Sequence, residues 1–139
     1  MKGPKRPVVA AEPILIVDDN PQNLKLARVL LASEGYDVRT AADAEEALFV
    51  LESFEPRIIL MDLQLPGMDG LELTQRLKAD PAHRDIKIIA LTAYAMKGDD
   101  EKALAAGCDA YVAKPIDTEA LPKLIAEHLV RASGTGKST

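Results

Sequence analysis

The stretch Ile14-Leu15-Ile16-Val17-Asp18-Asp19-Asn20-Pro21 decides the fold. Four apolar residues in unbroken succession mark a strand covered on both faces, which is how strands read in a parallel sheet. Two acids end the run. Asn20 is a helix-capping residue, and Pro21 suits the first helical position, where its missing N–H costs nothing. Three further runs repeat the unbroken pattern: Ile58-Ile59-Leu60-Met61, Ile88-Ile89-Ala90-Leu91 and Ala110-Tyr111-Val112-Ala113. A fifth, Tyr36-Asp37-Val38-Arg39-Thr40-Ala41, alternates and is expected at a sheet edge.

Amphipathic stretches separate the runs. Leu24, Ala27, Leu30 and Leu31 line one face of a first helix, with Gly35 closing it. Ala44, Ala47, Leu48 and Leu51 carry helical spacing, and Leu73 and Leu77 mark a third helix. A fourth, from near Met96 to Ala106, stops at Gly107 and has mostly alanine on its apolar side, so weak anchoring is expected. The last uses Leu121, Leu124, Ile125 and Leu129. If Asp117 or Thr118 caps it, Pro122 deletes an early backbone bond or delays its start. Five alternations of strand and helix, joined by right-handed crossovers, give an α/β doubly wound parallel sheet with helices on both faces.

The rest of the composition fits one such domain. The chain has 139 residues, 47% hydrophobic and 28% charged, with a net charge of −5. That balance is too apolar for a disordered chain and gives no bulk attraction to nucleic acid. No apolar run approaches the ~20 residues of a membrane span, so no membrane contact is expected. A single cysteine, Cys108, excludes an internal disulfide framework and reads as core filler. Residues 1–12 read as a flexible basic arm, 13–131 as the domain, and 132–139 as a flexible tail. The arm has no apolar core, so it is not a secretory signal, and a cytoplasmic chain is expected. The tail segment Gly134-Thr135-Gly136-Lys137-Ser138 lacks the glycine, preceding strand and following helix of a nucleotide-binding loop.

Asp18 and Asp19 follow the first strand, Asp62 the third, Thr92 the fourth and Lys114 the fifth. A parallel sheet brings all five to its carboxyl end, where ligands bind in open α/β folds. Three converging carboxylates repel one another, and a hard divalent cation such as Mg²⁺ relieves that cost. A lysine and a hydroxyl beside them suit a phosphoryl group. Taken singly, each has a plain reading: Asp18-Asp19 as an exposed turn, Asp62 as a loop acid, Thr92 as a cap, Lys114 as a surface lysine, Tyr111 as core. It is the combination that argues for a site.

The segments Ile16-Val17-Asp18-Asp19-Asn20, Leu60 through Gly70, Ala90-Leu91-Thr92-Ala93 and Tyr111 through Ile116 resemble the receiver domain of two-component response regulators. Asp-Asn-Pro-Gln-Asn-Leu (19–24) and Leu-Thr-Ala-Tyr-Ala-Met-Lys-Gly-Asp (91–99) resemble receivers of hybrid kinases and of stand-alone cell-cycle regulators. The resemblance implies a flavodoxin-like, five-stranded sheet of order 2-1-3-4-5 flanked by five helices. It implies Asp62 as phosphoacceptor, with Asp18, Asp19, Asp62 and the backbone carbonyl of Gln64 holding Mg²⁺, for which Mn²⁺ can substitute. Lys114 pairs with the phosphoryl group, and the Lys114–Pro115 bond is expected to be cis. Thr92 and Tyr111 act as the switch pair, and Gln64 and Tyr94 tune phosphoryl lifetime.

The implied protein is a stand-alone bacterial regulator. It takes a phosphoryl group from a phosphohistidine on a histidine kinase or histidine phosphotransfer protein. It signals to an unidentified downstream protein by a switched surface or by onward phosphorelay. It is expected to be a monomer, dimerising at most on phosphorylation, and not an enzyme beyond its own phosphorylation and slow dephosphorylation. The competing functions are a degenerate receiver serving as a binding scaffold and a Mg²⁺-dependent aspartyl phosphohydrolase. The second would place an acid two residues after Asp62 to protonate a leaving group, and Gln64 stands there.

Overall fold

A computed structural model of the chain describes residues 12–65, 67–92 and 99–135. The order is β1 (Pro13–Val17), α1 (Pro21–Ser33), β2 (Asp37–Ala41), α2 (Ala44–Leu51), β3 (Ile58–Asp62), α3 (Gly70–Ala79), β4 (Lys87–Thr92), α4 (Asp99–Ala106), β5 (Ala110–Ala113) and α5 (Ala120–Thr135). The five strands form one parallel sheet in the order β2-β1-β3-β4-β5.

Two apolar layers cover the sheet. On one face Leu15, Val17, Ile59, Met61, Ile88 and Ala90 pack against α2, α3 and α4 through Ala47, Leu51, Leu73, Leu77 and Ala103. On the other, Ile14, Ile16, Leu60, Ile89 and Leu91 pack against α1 and α5 through Ala27, Leu31, Leu121, Ile125 and Leu129. Successive strand residues point to opposite faces, so both layers draw on every central strand. That is why the three central runs are unbroken.

The edges behave differently. β2 alternates, as its sequence requires. β5 also alternates between half-buried and exposed, with Tyr111 and Ala113 facing out. Its unbroken run had suggested cover on both faces. As the last strand in the sheet it has a neighbour on one side alone, and the adjacent helix α4 offers little cover. That helix buries Ala103 and Ala106 and leaves Leu104 half exposed, in line with its alanine-rich face.

Local chemistry sets the boundaries. The Asn20 side chain accepts hydrogen bonds from the N–H groups of Gln22 and Asn23, and Gly35 at φ 97° follows the end of α1. Asp43 and Glu46 form a reciprocal cap on α2, with Asp43 accepting from Glu46 N and Glu46 accepting from Ala42 N. At α5 both consequences of Pro122 occur. Leu121 N donates to the Asp117 carbonyl, the next residue has no N–H to give, and regular helix begins at Ala120. The helix continues to Thr135, four residues into the stretch read as a tail, since adding residues to an existing helix avoids the cost of nucleation. The beginning expected for α4 near Met96 lies outside the described residues. No described helix is long and apolar enough to cross a membrane.

Candidate phosphoryl-accepting site

Register alone assembles the site. Val17 pairs with Met61, so Asp18 and Asp62 leave adjacent strands side by side. Asp62 pairs with Leu91 and Thr92 with Ala113, so Thr92 and Lys114 follow one step further across the sheet. A backbone bond from Lys114 N to the Thr92 carbonyl (2.7 Å) continues the ladder past the strand ends. The Lys114–Pro115 peptide is cis.

Asp18 and Asp62 are 0% and 1% exposed, which is rare for carboxylates without compensation, and the hydroxyl residue Thr92 beside them is 4% exposed. Asp18 Oδ1 accepts from the backbone N–H of Asn20 (2.9 Å), and Asp62 Oδ1 from that of Gln64 (3.0 Å). Lys114 Nζ donates to Asp62 Oδ2 at 3.0 Å and stands 3.3 Å from Asp18 Oδ2. The second contact is an ion pair without hydrogen-bond geometry, so buried Asp18 Oδ2 has no hydrogen-bond partner among the described residues. One ammonium thus serves two buried carboxylates. Asp19 is exposed, and oxygens of Asp18, Asp19 and Asp62 all lie within 4.8 Å of one another.

The electrostatics have one direction. Burial pushes the Asp62 carboxyl above its ordinary 3.8; the Gln64 N–H and Lys114 oppose the rise without cancelling it, and Asp18's charge adds to it. Burial pulls the Lys114 ammonium down, but its hydrogen bond to Asp62 and the charges of both acids outweigh this and raise it above 10.5. Both displacements mean that the cluster holds positive charge more tightly than its parts do in water. The donors are hard oxygens, one of them buried and unsatisfied, so the residues fit a divalent cation such as Mg²⁺.

The sequence matches the response regulator receiver domain family over residues 14–126. The chain is a receiver domain. It is 43% identical over 116 residues to the polar-differentiation response regulator DivK of Brucella anthropi, a match covering 84% of this chain and 94% of that protein. The receiver domain of the sensor histidine kinase PA1611 of Pseudomonas aeruginosa, solved with magnesium coordinated in its active-site cleft, superposes with a TM-score of 0.79. It is 38% identical, covering 86% of this chain and 98% of that one. A CheY-like receiver domain protein of Methanospirillum hungatei gives a TM-score of 0.80 at 35% identity, covering 90% and 98%. The five-stranded order and the flavodoxin-like layers of this receiver are those of that fold.

Within the receiver, the structure brings Asp18, Asp19, Asp62, Thr92 and Lys114 to one end of the sheet. Gln64 is exposed, with its N–H bound to Asp62. Tyr111 is 44% exposed, facing away from the core. Ala93 and Tyr94 lie outside the described residues. Cys108 is buried near Thr74 (Sγ–Oγ1 3.8 Å), and burial pushes its thiol up, as suits a packing residue. His128 is buried on α5. Sequence reasoning gave Asn20 the role of a helix cap; its backbone N–H also orients Asp18, a bond that only the turn after β1 creates.

Proposed function

We propose that this receiver accepts a phosphoryl group on Asp62 from a phosphohistidine and changes its protein-binding surface in response. The observation that carries the reading is the shared lysine: Nζ within 3.3 Å of two buried carboxylates, beside a third acid. A binding scaffold has no physical need for three converging acids held at this cost. Gln64 in place of a second acid speaks against a turnover phosphohydrolase.

In the transfer, an Asp62 carboxylate oxygen attacks phosphorus, a P–O bond forms, the P–N bond breaks, and the imidazole leaves and takes up a proton. Asp18, Asp19, Asp62 and the Gln64 carbonyl would hold Mg²⁺ or Mn²⁺, which supplies neutralisation of the charge that gathers on the phosphoryl oxygens. Lys114 holds the Asp62 carboxylate in place beforehand and pairs with a phosphoryl oxygen afterwards. The Thr92 hydroxyl donates to the phosphoryl group, and Tyr111 turns inward as Thr92 moves. A population shift of this size needs only a few kcal/mol of differential contact. Gln64 and Tyr94 tune the lifetime of the acyl phosphate. The donor is a histidine kinase or histidine phosphotransfer protein in the cytoplasm. The signal leaves through contact with a downstream protein or by onward transfer, and the unphosphorylated chain is a monomer. Its chemistry is limited to its own phosphorylation and slow dephosphorylation.

Intact-mass measurement after incubation with acetyl phosphate tests this. A single Mg²⁺-dependent phosphoryl adduct, absent in Asp62→Ala, is the expected result. An adduct that persists in Asp62→Ala, or none on wild type with either acetyl phosphate or a purified phosphohistidine donor, refutes it.

A further inference from the structure

We infer that Gly70 is a positioning residue for Asp62, and that its lack of a side chain sets where the acceptor carboxylate stands. The inference rests on the phosphoacceptor reading of Asp62 and adds a residue that touches neither phosphoryl group nor metal.

Gly70 is the first residue of α3 and is buried. Asp69 caps the helix by accepting from Glu72 N (2.8 Å), and Gly70 N donates to the Leu63 carbonyl (3.1 Å). The helix therefore begins directly against the end of β3. A Cβ built on Gly70 falls 2.3 Å from the Asp62 carbonyl oxygen, 2.8 Å from Leu63 Cα and 3.1 Å from the Asp62 carbonyl carbon. All three are backbone atoms, so no side chain can swing aside. Ordinary Cβ contacts begin at 3.4 Å, which leaves the added methyl about 1 Å too close.

The helix cannot retreat by that distance. Leu73 and Leu77 are fully buried against the sheet, and Lys78 ties the far end of α3 to the Ile86 carbonyl and Asp109. The peptide joining Asp62 to Leu63 is the weaker side. It closes the strand, and its Leu63 N–H donates to the Leu91 carbonyl (3.1 Å). Pushing that peptide moves the Asp62 carboxylate relative to Lys114 and Asp18. A misplacement of about 1 Å at a reacting group costs roughly 10²-fold in rate.

Two glycines of this chain serve as controls. Gly107, at the other end of the sheet from Asp62, has a milder collision, its Cβ 2.8 Å from the side-chain atom Lys78 Cγ, and a strained φ of +113°. Gly67 lies in the loop just before α3, with φ at +74° and nothing within 4 Å of its Cβ. Gly70→Ala, Gly107→Ala and Gly67→Ala are compared for urea stability, for Mg²⁺ affinity from amide NMR titration, and for phosphorylation by acetyl phosphate at saturating Mg²⁺. The expected result is a rate loss of about 10²-fold with weakened Mg²⁺ binding in Gly70→Ala alone. The two controls, whatever stability they lose, are expected within about threefold of wild type.

A Gly70→Ala rate and Mg²⁺ affinity equal to wild type, or losses matched by Gly107→Ala at equal stability, overturn the inference. If wild type takes no phosphoryl group while Gly70→Ala still weakens Mg²⁺ binding, the positioning stands and the phosphoacceptor reading fails. If Gly70→Ala does not fold, amide hydrogen exchange on wild type decides. The Gly70 N–H should gain protection on Mg²⁺ saturation, and an unchanged rate refutes the link between α3 and the pocket.

Discussion

Lys114→Met is the sharpest test of the electrostatic argument, because it removes one cation from between two buried anions. At an effective dielectric of about 20, contacts of 3.0 and 3.3 Å are each worth roughly 5 kcal/mol of Coulomb attraction. Without the lysine, Asp18 and Asp62, with oxygens within 4.8 Å, repel by roughly 3 kcal/mol on the same scale. The fold has one escape, which is to keep Asp62 protonated. Holding an acid of ordinary pKa 3.8 protonated at about pH 7 costs about 4 kcal/mol, and this caps the loss. The expected destabilisation is therefore about 3–4 kcal/mol at about pH 7 without metal, in the range for breaking a buried pair.

The pH dependence follows from the sign. A carboxyl whose folded pKa is raised binds its proton more tightly in the native state. Stability is then complete below the unfolded pKa and is lost as pH rises from there toward the folded pKa. Burial and Asp18 already raise Asp62, and losing Lys114 raises it further. The deficit of Lys114→Met should thus be small near pH 4 and grow toward pH 7. Urea unfolding in EDTA across that range measures it, with m-values checked for equality. A loss under about 1 kcal/mol at about pH 7, or a deficit independent of pH, refutes the shared-lysine account.

Three further outcomes are expected. Asp18→Asn relieves the repulsion on Asp62, so in EDTA it should unfold within about 1 kcal/mol of wild type; at Mg²⁺ about 100-fold above the wild-type dissociation constant it should lack most of the roughly 2.7 kcal/mol that wild type gains. Asn20→Ala removes the side-chain acceptor for Gln22 N and Asn23 N and should cost about 1 kcal/mol in urea unfolding. Lys78→Met removes the hydrogen bonds to the Ile86 carbonyl and to Asp109, which keeps the Ile88 N–H and the more distant Lys87 ammonium, and should cost about 1–2 kcal/mol, with the phosphorylation rate at saturating Mg²⁺ within about twofold of wild type.

Much of this receiver was legible because a parallel α/β sheet writes its plan into short local signals. Unbroken runs such as Ile58-Ile59-Leu60-Met61 announce strands covered twice. Asn20-Pro21 announces a helix start, and Gly107 a helix stop. Since all parallel strands end on one side, Asp18, Asp62, Thr92 and Lys114 could be gathered at one place before any coordinate was known. Where the sequence misled, the cause was context. The β5 run resembles the central strands, yet its edge position leaves Tyr111 exposed. Helix α5 passes the expected tail boundary because propagation along an existing helix needs no further apolar contact.

The sequence by itself determined the element order and which residues stand at strand ends, because these follow from short apolar runs, the 3.6-residue helical period and the capping signals along the chain. Only the tertiary structure decided that Lys114, 52 residues from Asp62, divides one ammonium between two carboxylates. It alone decided that Lys78 reaches Asp109, 31 residues on, and that Gly70 meets the backbone of Asp62. Such contacts depend on strand register and on how closely a helix seats on its sheet. Both are fixed by packing across the whole core, at a scale of tenths of an ångström that no local pattern encodes.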